Sequence, residues 1–399
     1  MKKILLVGLP YDTNIGDQVI FECTKQLIRN IVKQSDAEAE FVDLDMFART
    51  CYADPRTAFR RTPGFIFRRF FYAFFYFKYR HQKLDTYVLE TELATRISEI
   101  DWDSIGAIIF AGGGIIKYKY QDFYTCIDTI TAIAEERHIP VMFSAVGIEG
   151  YEETDEHCLR IKNSINRSCV KTVTTRDDIN TLKQNYITNR QIECAQVSDP
   201  ACSVSRLFPD VHRERTPDVP KVIGLGICRD QLFRDNDVDF SKASQLQLWK
   251  ELYNGLTKMG YRCRLFTNGQ PYDEEFAEEV LRHLKLDRDA LLEHPVSAED
   301  LIDRILQFDA TIVCRLHASI ISYSYSIPTV GIIWNDKQKM FGELIDAPER
   351  FLEPKDAASY ILSHTNELLE SPYKNERREE YIDSCETYLR HFIHEYYLT

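Results

Sequence analysis

Short aliphatic runs that stop abruptly at glycine recur along this chain, each followed by a stretch with helical spacing. In the first half, residues 3–8 and 39–44 read as strands, with a helix over 16–32 between them. Further strands end at Ala111-Gly112-Gly113-Gly114 and at Val146-Gly147, and the strand over 170–174 leads into Arg176-Asp177. The second half repeats the alternation, with strands over 221–227, 262–266, 310–314 and 329–333 and helices over 244–259, 274–284 and 317–324. Near-continuous apolar strands are buried on both faces, and parallel neighbours need a crossover that a helix supplies. The pattern predicts an α/β fold with parallel sheets.

At 399 residues the chain exceeds what one hydrophobic core usually serves, so two domains are expected. Residues 209–220 carry Pro209, Pro217 and Pro220 among charged side chains, the composition of an exposed linker. The boundaries read from the sequence are 1–208 for an N-terminal Rossmann-like domain, 209–220 for the linker and 221–345 for a C-terminal Rossmann-like domain. Residues 346–399 are expected as helices that pack back on the first domain. The result is two doubly wound domains facing across a cleft, and such sheets bind ligands beyond the carboxyl ends of their strands.

A net charge of -13 argues against a nucleic-acid partner, because phosphate backbones are held by clustered Lys and Arg. Any cationic site must be local. The 11 cysteines are scattered singly, which reads as buried free thiols in a reducing compartment. No cluster of His, Cys and carboxylates has metal-ligand spacing, so no metal is expected. The first apolar run ends at Gly8-Leu9-Pro10, short of the ~7–15 apolar residues of an export signal, and a cytoplasmic location is expected. Residues 60–80 combine many phenylalanines with Arg60, Arg61, Arg68 and Arg69. Two readings fit this segment: peripheral contact with the anionic inner membrane surface, or packing on its own domain with the arginines in water.

Three groups of residues stand at strand ends. Arg315, Leu316 and His317 follow an apolar strand at the mouth of a helix, and Lys337 follows the next strand. A helix start favours phosphate or carboxylate, and an arginine there is able to hold either through two parallel bonds. The alternatives are a strand-end salt bridge for Arg315 and a capping or core role for His317. Arg176 likewise follows a strand, with Asp177 or Asp178 as the expected cap of the next helix. The loop 8–18 lacks a G-x-G-x-x-G fingerprint, so a dinucleotide cofactor is not expected. Asp12, Asn14 and Asp17 in that loop are candidates for sugar hydroxyls, and Gly113 and Gly114 let a ligand approach the backbone. Asp17 alternatively serves the helix dipole.

In this order the residues resemble the polysaccharide pyruvyl transferase family. The likeness rests on Asn14-Ile15-Gly16-Asp17, Ala111 to Gly114, Ser144 to Gly147, Thr175-Arg176-Asp177, Asp199-Pro200, Arg315-Leu316-His317, Ile327-Pro328, Lys337 and Phe341. It implies a glycosyltransferase-B-like pair of Rossmann-like domains, acceptor on the first and phosphoenolpyruvate on the second. It further implies transfer of an enolpyruvyl group from phosphoenolpyruvate, as co-substrate without other cofactor, onto a sugar or lipid-linked oligosaccharide as a ketal. Arg176, Arg315, Leu316, His317 and Lys337 would contact phosphoenolpyruvate. Asp12, Asn14, Asp17, Gly113 and Gly114 would meet the acceptor. His317 is the expected acid–base, since an imidazole exchanges protons near neutral pH, and Asp17 the residue that orients or deprotonates the acceptor hydroxyl.

Two other readings compete. A nucleotide-sugar glycosyltransferase of the same shape would need a carboxylate for the donor ribose, for which Glu274, Glu275 and Glu278 are available. A glycan-binding relative without turnover would not require Arg176, Arg315 and His317 together.

Overall fold

A computed structural model describes residues 2–53, 84–119, 121–209, 220–371, 373 and 377–398. The aromatic basic segment 60–80 and linker positions 210–219 lie outside them. The chain divides into two compact units, Met1–Asp12, Ile20–Ser198 and Ser384–Thr399 in unit 1, and Thr13–Val19 and Asp199–Asp383 in unit 2. A single cut at 209–220 therefore does not describe the division, because residues 13–19 and 199–208 count with unit 2.

Unit 1 is built on β1 (Lys3–Gly8), β2 (Phe41–Asp45), β3 (Ile105–Ala111), β4 (Ile116–Lys117), β5 (Val141–Val146), β6 (Ile148–Glu149), β7 (Val170–Thr175) and β8 (Glu193–Gln196). Six of them form one sheet in the order β2-β1-β3-β5-β7-β8, every pair parallel, with β4 and β6 as a small separate ladder. Ile4, Leu5, Leu6 and Val7 are all fully buried, which is why β1 shows no alternation. Phe110 and Phe143 are partners across β3 and β5, and their rings stack at 4.4 Å. The helices are α1 (Ile15–Lys33), α2 (Leu84–Ser98), α3 (Phe123–Glu136) and α4 (Glu156–Ile165). The sheet order reverses between β1 and β3.

A charged clamp ties α3 to α4. Asp128 accepts from Arg160 Nε at 2.5 Å, Arg167 Nη2 at 2.8 Å and Ser164 Oγ at 3.1 Å. Burial, the largest single influence, would raise the Asp128 pKa, but the two guanidiniums together outweigh it and hold it below the ordinary carboxylate value. Asp128→Asn is expected to cost about 1 kcal/mol in urea unfolding at neutral pH, after allowance for solvent screening of this partly exposed cluster. Because the folded pKa is the depressed one, that contribution is complete above the unfolded value of about 3.9 and fades as pH drops through the folded value. The gap between the two proteins should therefore close in acid.

Unit 2 contains β9 (Val222–Gly226), β10 (Arg262–Phe266), β11 (Ala310–Val313), β12 (Thr329–Ile332) and β13 (Phe351–Leu352). They form a parallel sheet in the order β10-β9-β11-β12-β13. Its helices are α5 (Lys242–Lys258), α6 (Pro271–Leu284), α7 (Ala298–Leu306), α8 (Leu316–Ser324), α9 (Asp336–Leu344) and α10 (Ala357–Ser363), and the first turn of α11 (Arg378–Tyr396) also counts with it. Ile223, Leu225, Leu265, Ile312 and Val330 build its core with Trp249 of α5. Here the order reverses between β9 and β11. Loops beyond the carboxyl ends of such a strand pair diverge to opposite faces and leave room for a ligand.

The last turns of α11 belong to unit 1, where Arg390 donates to Gln34 at 2.6 Å and Ser384 accepts from the Ser198 amide at 2.8 Å. Among the described residues no helix is long and apolar enough to cross a membrane. Of the cysteines only Cys51 is exposed and Cys194 half-buried; the others are buried free thiols.

Candidate functional site

The apolar run of β11 ends at Cys314, and Arg315 stands in extended conformation as the residue before α8. The Arg315 side chain does not cap its own helix, and the start of α8 carries the partial positive end of the helix dipole. Arg315 is nearly buried, and its donors can be counted. Nε gives a hydrogen bond to Asp273 Oδ2 at 2.8 Å, while Nη2 gives one to Asp273 Oδ1 at 2.6 Å and one to Gln270 Oε1 at 2.7 Å. A guanidinium has five N–H groups, so both hydrogens left are on Nη1. The two-pronged edge expected to grip a ligand is thus held by Asp273, because a fully buried carboxylate needs a countercharge at close range. Burial, the largest influence on Arg315, would lower its pKa, but Asp273 more than offsets this and raises it.

His317 lies in the first turn of α8 and is 7% exposed. Its Nε2 is 3.9 Å from Asp199 Oδ2, and the other Asp199 oxygen accepts from the Ala201 amide at 2.8 Å. The opposite nitrogen abuts α1: a Cβ built on Gly16 would fall 2.3 Å from His317 Nδ1. Only glycine allows this approach.

The segment Thr13–Val19 therefore shares unit 2 with His317. It is anchored there by the Ile15 amide, which donates to Asn268 O at 3.0 Å. Asn14 Nδ2 donates to Asp17 Oδ2 at 2.8 Å, placing the Asp17 carboxylate in the first turn of α1 as dipole partner. Lys337 occupies the first turn of α9 just beyond β12, the neighbour of β11. Leu316 opens α8.

The remaining candidates lie in unit 1. Arg176 follows β7 and is 7% exposed, with Nε 4.0 Å from Asp177 Oδ1. Asp177 accepts from the Ile148 amide at 2.8 Å, and it is Asp178 that caps the next turn through the amides of Asn180 and Thr181. Gly112 and Gly113 have φ of 48° and 76°, left-handed values that favour glycine. The Gly147 amide donates to Gly113 O at 2.6 Å, so this turn is tied to the end of β5. Asp12 pairs with Arg49 at 2.8 Å, and Arg49 in turn with Asp45 at 2.9 Å; its carboxylate already carries an ion pair.

Asp273, Gln270 and Asp199 are the residues whose roles sequence reasoning did not assign. Asp273 follows Pro271 in a helix first turn, which reads as an ordinary dipole partner, and Asp199 precedes a proline, which reads as a cap. Nothing in either local pattern names Arg315 or His317 as the distant partner. Glu274 accepts from Thr267 and lies 3.9 Å from His294 Nδ1, so it has protein partners of its own. Among the described residues no group of three or more His, Cys, Asp or Glu is placed to hold a metal ion.

A family model described as polysaccharide pyruvyl transferase matches residues 14–336. No curated protein matches the chain. Among solved structures, the UDP-GlcNAc 2-epimerase of Methanocaldococcus jannaschii is similar with a TM-score of 0.60 at 8% identity, over 98% of this chain and 99% of that one. The UDP-N-acetylglucosamine 2-epimerase of Rickettsia bellii gives a TM-score of 0.52 at 12% identity, over 100% of each chain. At such identity these likenesses concern the fold, which is glycosyltransferase-B-like with two Rossmann-like units.

Proposed function

Since the chain belongs to the polysaccharide pyruvyl transferase family, we propose that it moves the enolpyruvyl group of phosphoenolpyruvate onto two hydroxyls of a sugar as a ketal. The acceptor in this reading is a capsular, exopolysaccharide or cell-wall glycan precursor, free or lipid-linked. The reaction would run in the cytoplasm.

The observation that carries the reading is the approach of Gly16 to His317, which sets an imidazole against the helix turn that bears Asn14 and Asp17. In the proposed reaction the methylene carbon of phosphoenolpyruvate gains a proton, making the central carbon electrophilic. A sugar hydroxyl bonds to that carbon and loses its proton, the bond to the phosphate oxygen breaks, and a neighbouring hydroxyl closes the ring with loss of its own proton. His317 supplies and takes protons in these steps, and Asp199 steadies its charged form. Asp17 orients the acceptor hydroxyl. Arg315 through Nη1, the first amides of α8 at Leu316 and Lys337 neutralise the carboxylate and the departing phosphate.

The test is incubation with phosphoenolpyruvate and candidate glycans, following phosphate release and the ketal methyl resonance by NMR. A thermal-shift response to UDP-sugars with none to phosphoenolpyruvate would favour the nucleotide-sugar reading instead. In the same assay Arg315→Lys is expected to weaken phosphoenolpyruvate binding by about 1.5–3 kcal/mol, because Nη1 is lost and the remaining ammonium is drawn to Asp273. Calorimetric titration measures this directly.

A further inference from the structure

Asp273 is fully buried in the first turn of α6, yet its carboxylate serves three donors on two other strand ends. Oδ1 accepts from the Arg229 amide, beyond β9, at 2.9 Å and from Arg315 Nη2, beyond β11, at 2.6 Å. Oδ2 accepts from Arg315 Nε at 2.8 Å. β9 and β11 are the pair between which the sheet order reverses. One carboxylate therefore cross-links the two loops that flank the ligand position of a doubly wound sheet. Gln270, the residue before α6, gives its side chain to Arg315 Nη2 rather than capping its own helix.

We infer that Asp273 and Gln270 are positioning residues that hold the Arg315 guanidinium at one orientation and leave Nη1 alone to meet the anionic substrate. This rests on the pyruvyl transfer reading. Three of the five donors are engaged by groups fixed to α6, so the arginine cannot swing to close its fork on a carboxylate or phosphate. Asp273 also sets a carboxylate directly against its positive charge. An anion bound there is oriented by one nitrogen without being trapped by a full salt bridge, which suits a step in which phosphate must leave. Transition-state stabilisation needs such fixed donors, since a loose cation would grip substrate and product equally well.

The experiment compares the unsubstituted chain with Asp273→Asn, Asp273→Glu and Gln270→Ala in phosphoenolpyruvate turnover, alongside thermal unfolding and the Arg315 Nε–H resonance in ¹⁵N NMR. Gln270→Ala frees one Nη2 hydrogen and is expected to lower kcat several-fold while KM for phosphoenolpyruvate stays level or falls. Asp273→Asn is expected to lower kcat further and to abolish the slow exchange of the Nε proton, with Asp273→Glu recovering part of both. A loss of thermal stability in Asp273→Asn with kcat unchanged makes the residue merely structural and overturns the inference. Absence of turnover in the unsubstituted chain overturns the functional reading, and this inference with it. An active unsubstituted chain with unimpaired variants overturns this inference alone.

Discussion

Replacing His317 with alanine is expected to abolish ketal formation while phosphoenolpyruvate still binds. The ring is buried between a carboxylate on one side and the first turn of α1 on the other, so its two nitrogens have different neighbours. That asymmetry is what a proton-transferring imidazole needs: one nitrogen steadied as the ring gains charge, the other directed at the reacting groups. Loss of a positioned acid–base group typically costs about 10²–10⁴ in rate, so turnover in His317→Ala should fall by that factor or more. Binding should persist because the anion contacts assigned to Arg315, Lys337 and the start of α8 remain. Calorimetry paired with phosphate release separates the two quantities. A variant that turns over like the unsubstituted chain removes His317 from the mechanism. One that no longer binds phosphoenolpyruvate makes it a substrate contact first.

The second large effect concerns a residue without a side chain. Gly16→Ala should lower activity nearly as much as loss of the imidazole itself, because the added methyl would stand 2.3 Å from His317 Nδ1 and 2.6 Å from its Cβ. Both are far inside contact distance, so either the ring or the start of α1 has to move. Overpacking of this kind typically costs about 1–3 kcal/mol, and here the strain falls on the proposed acid–base. Thermal unfolding and turnover should therefore change together. Gly16→Ala with normal turnover would show that the close approach has no part in catalysis, whatever its effect on stability.

The α/β class, the central strands of both sheets and the two-unit organisation were legible because buried parallel strands need unbroken apolar runs and those runs stand out. Residues 3–8 and the strand before Arg315 are examples. Edge elements were not. β8 is partly exposed and β13 has only two residues, so neither needs the apolar pattern that marks a central strand. The helix α7 was also passed over, although Ser297 caps it by accepting from the Asp300 amide, a short-range signal of the S-x-x-D kind. The family was legible too, through an ordered set of small motifs spread over most of the chain.

What the order of residues determined by itself is thus the list of groups at strand ends: Arg176, Arg315, His317, Lys337 and the loop through Asp17. Strand ends are set by local apolar patterning, and local patterning is what a sequence displays. The tertiary structure decided how those groups are partnered. Asp273 precedes Arg315 by 42 residues and Asp199 precedes His317 by well over a hundred, so no spacing rule links them. Only the placing of β10 and β11 on either side of β9 in one sheet brings a carboxylate of α6, which follows β10, onto the guanidinium fork beyond β11. In the same way the glycine of a helix turn near the start of the chain comes to rest against an imidazole in its last third.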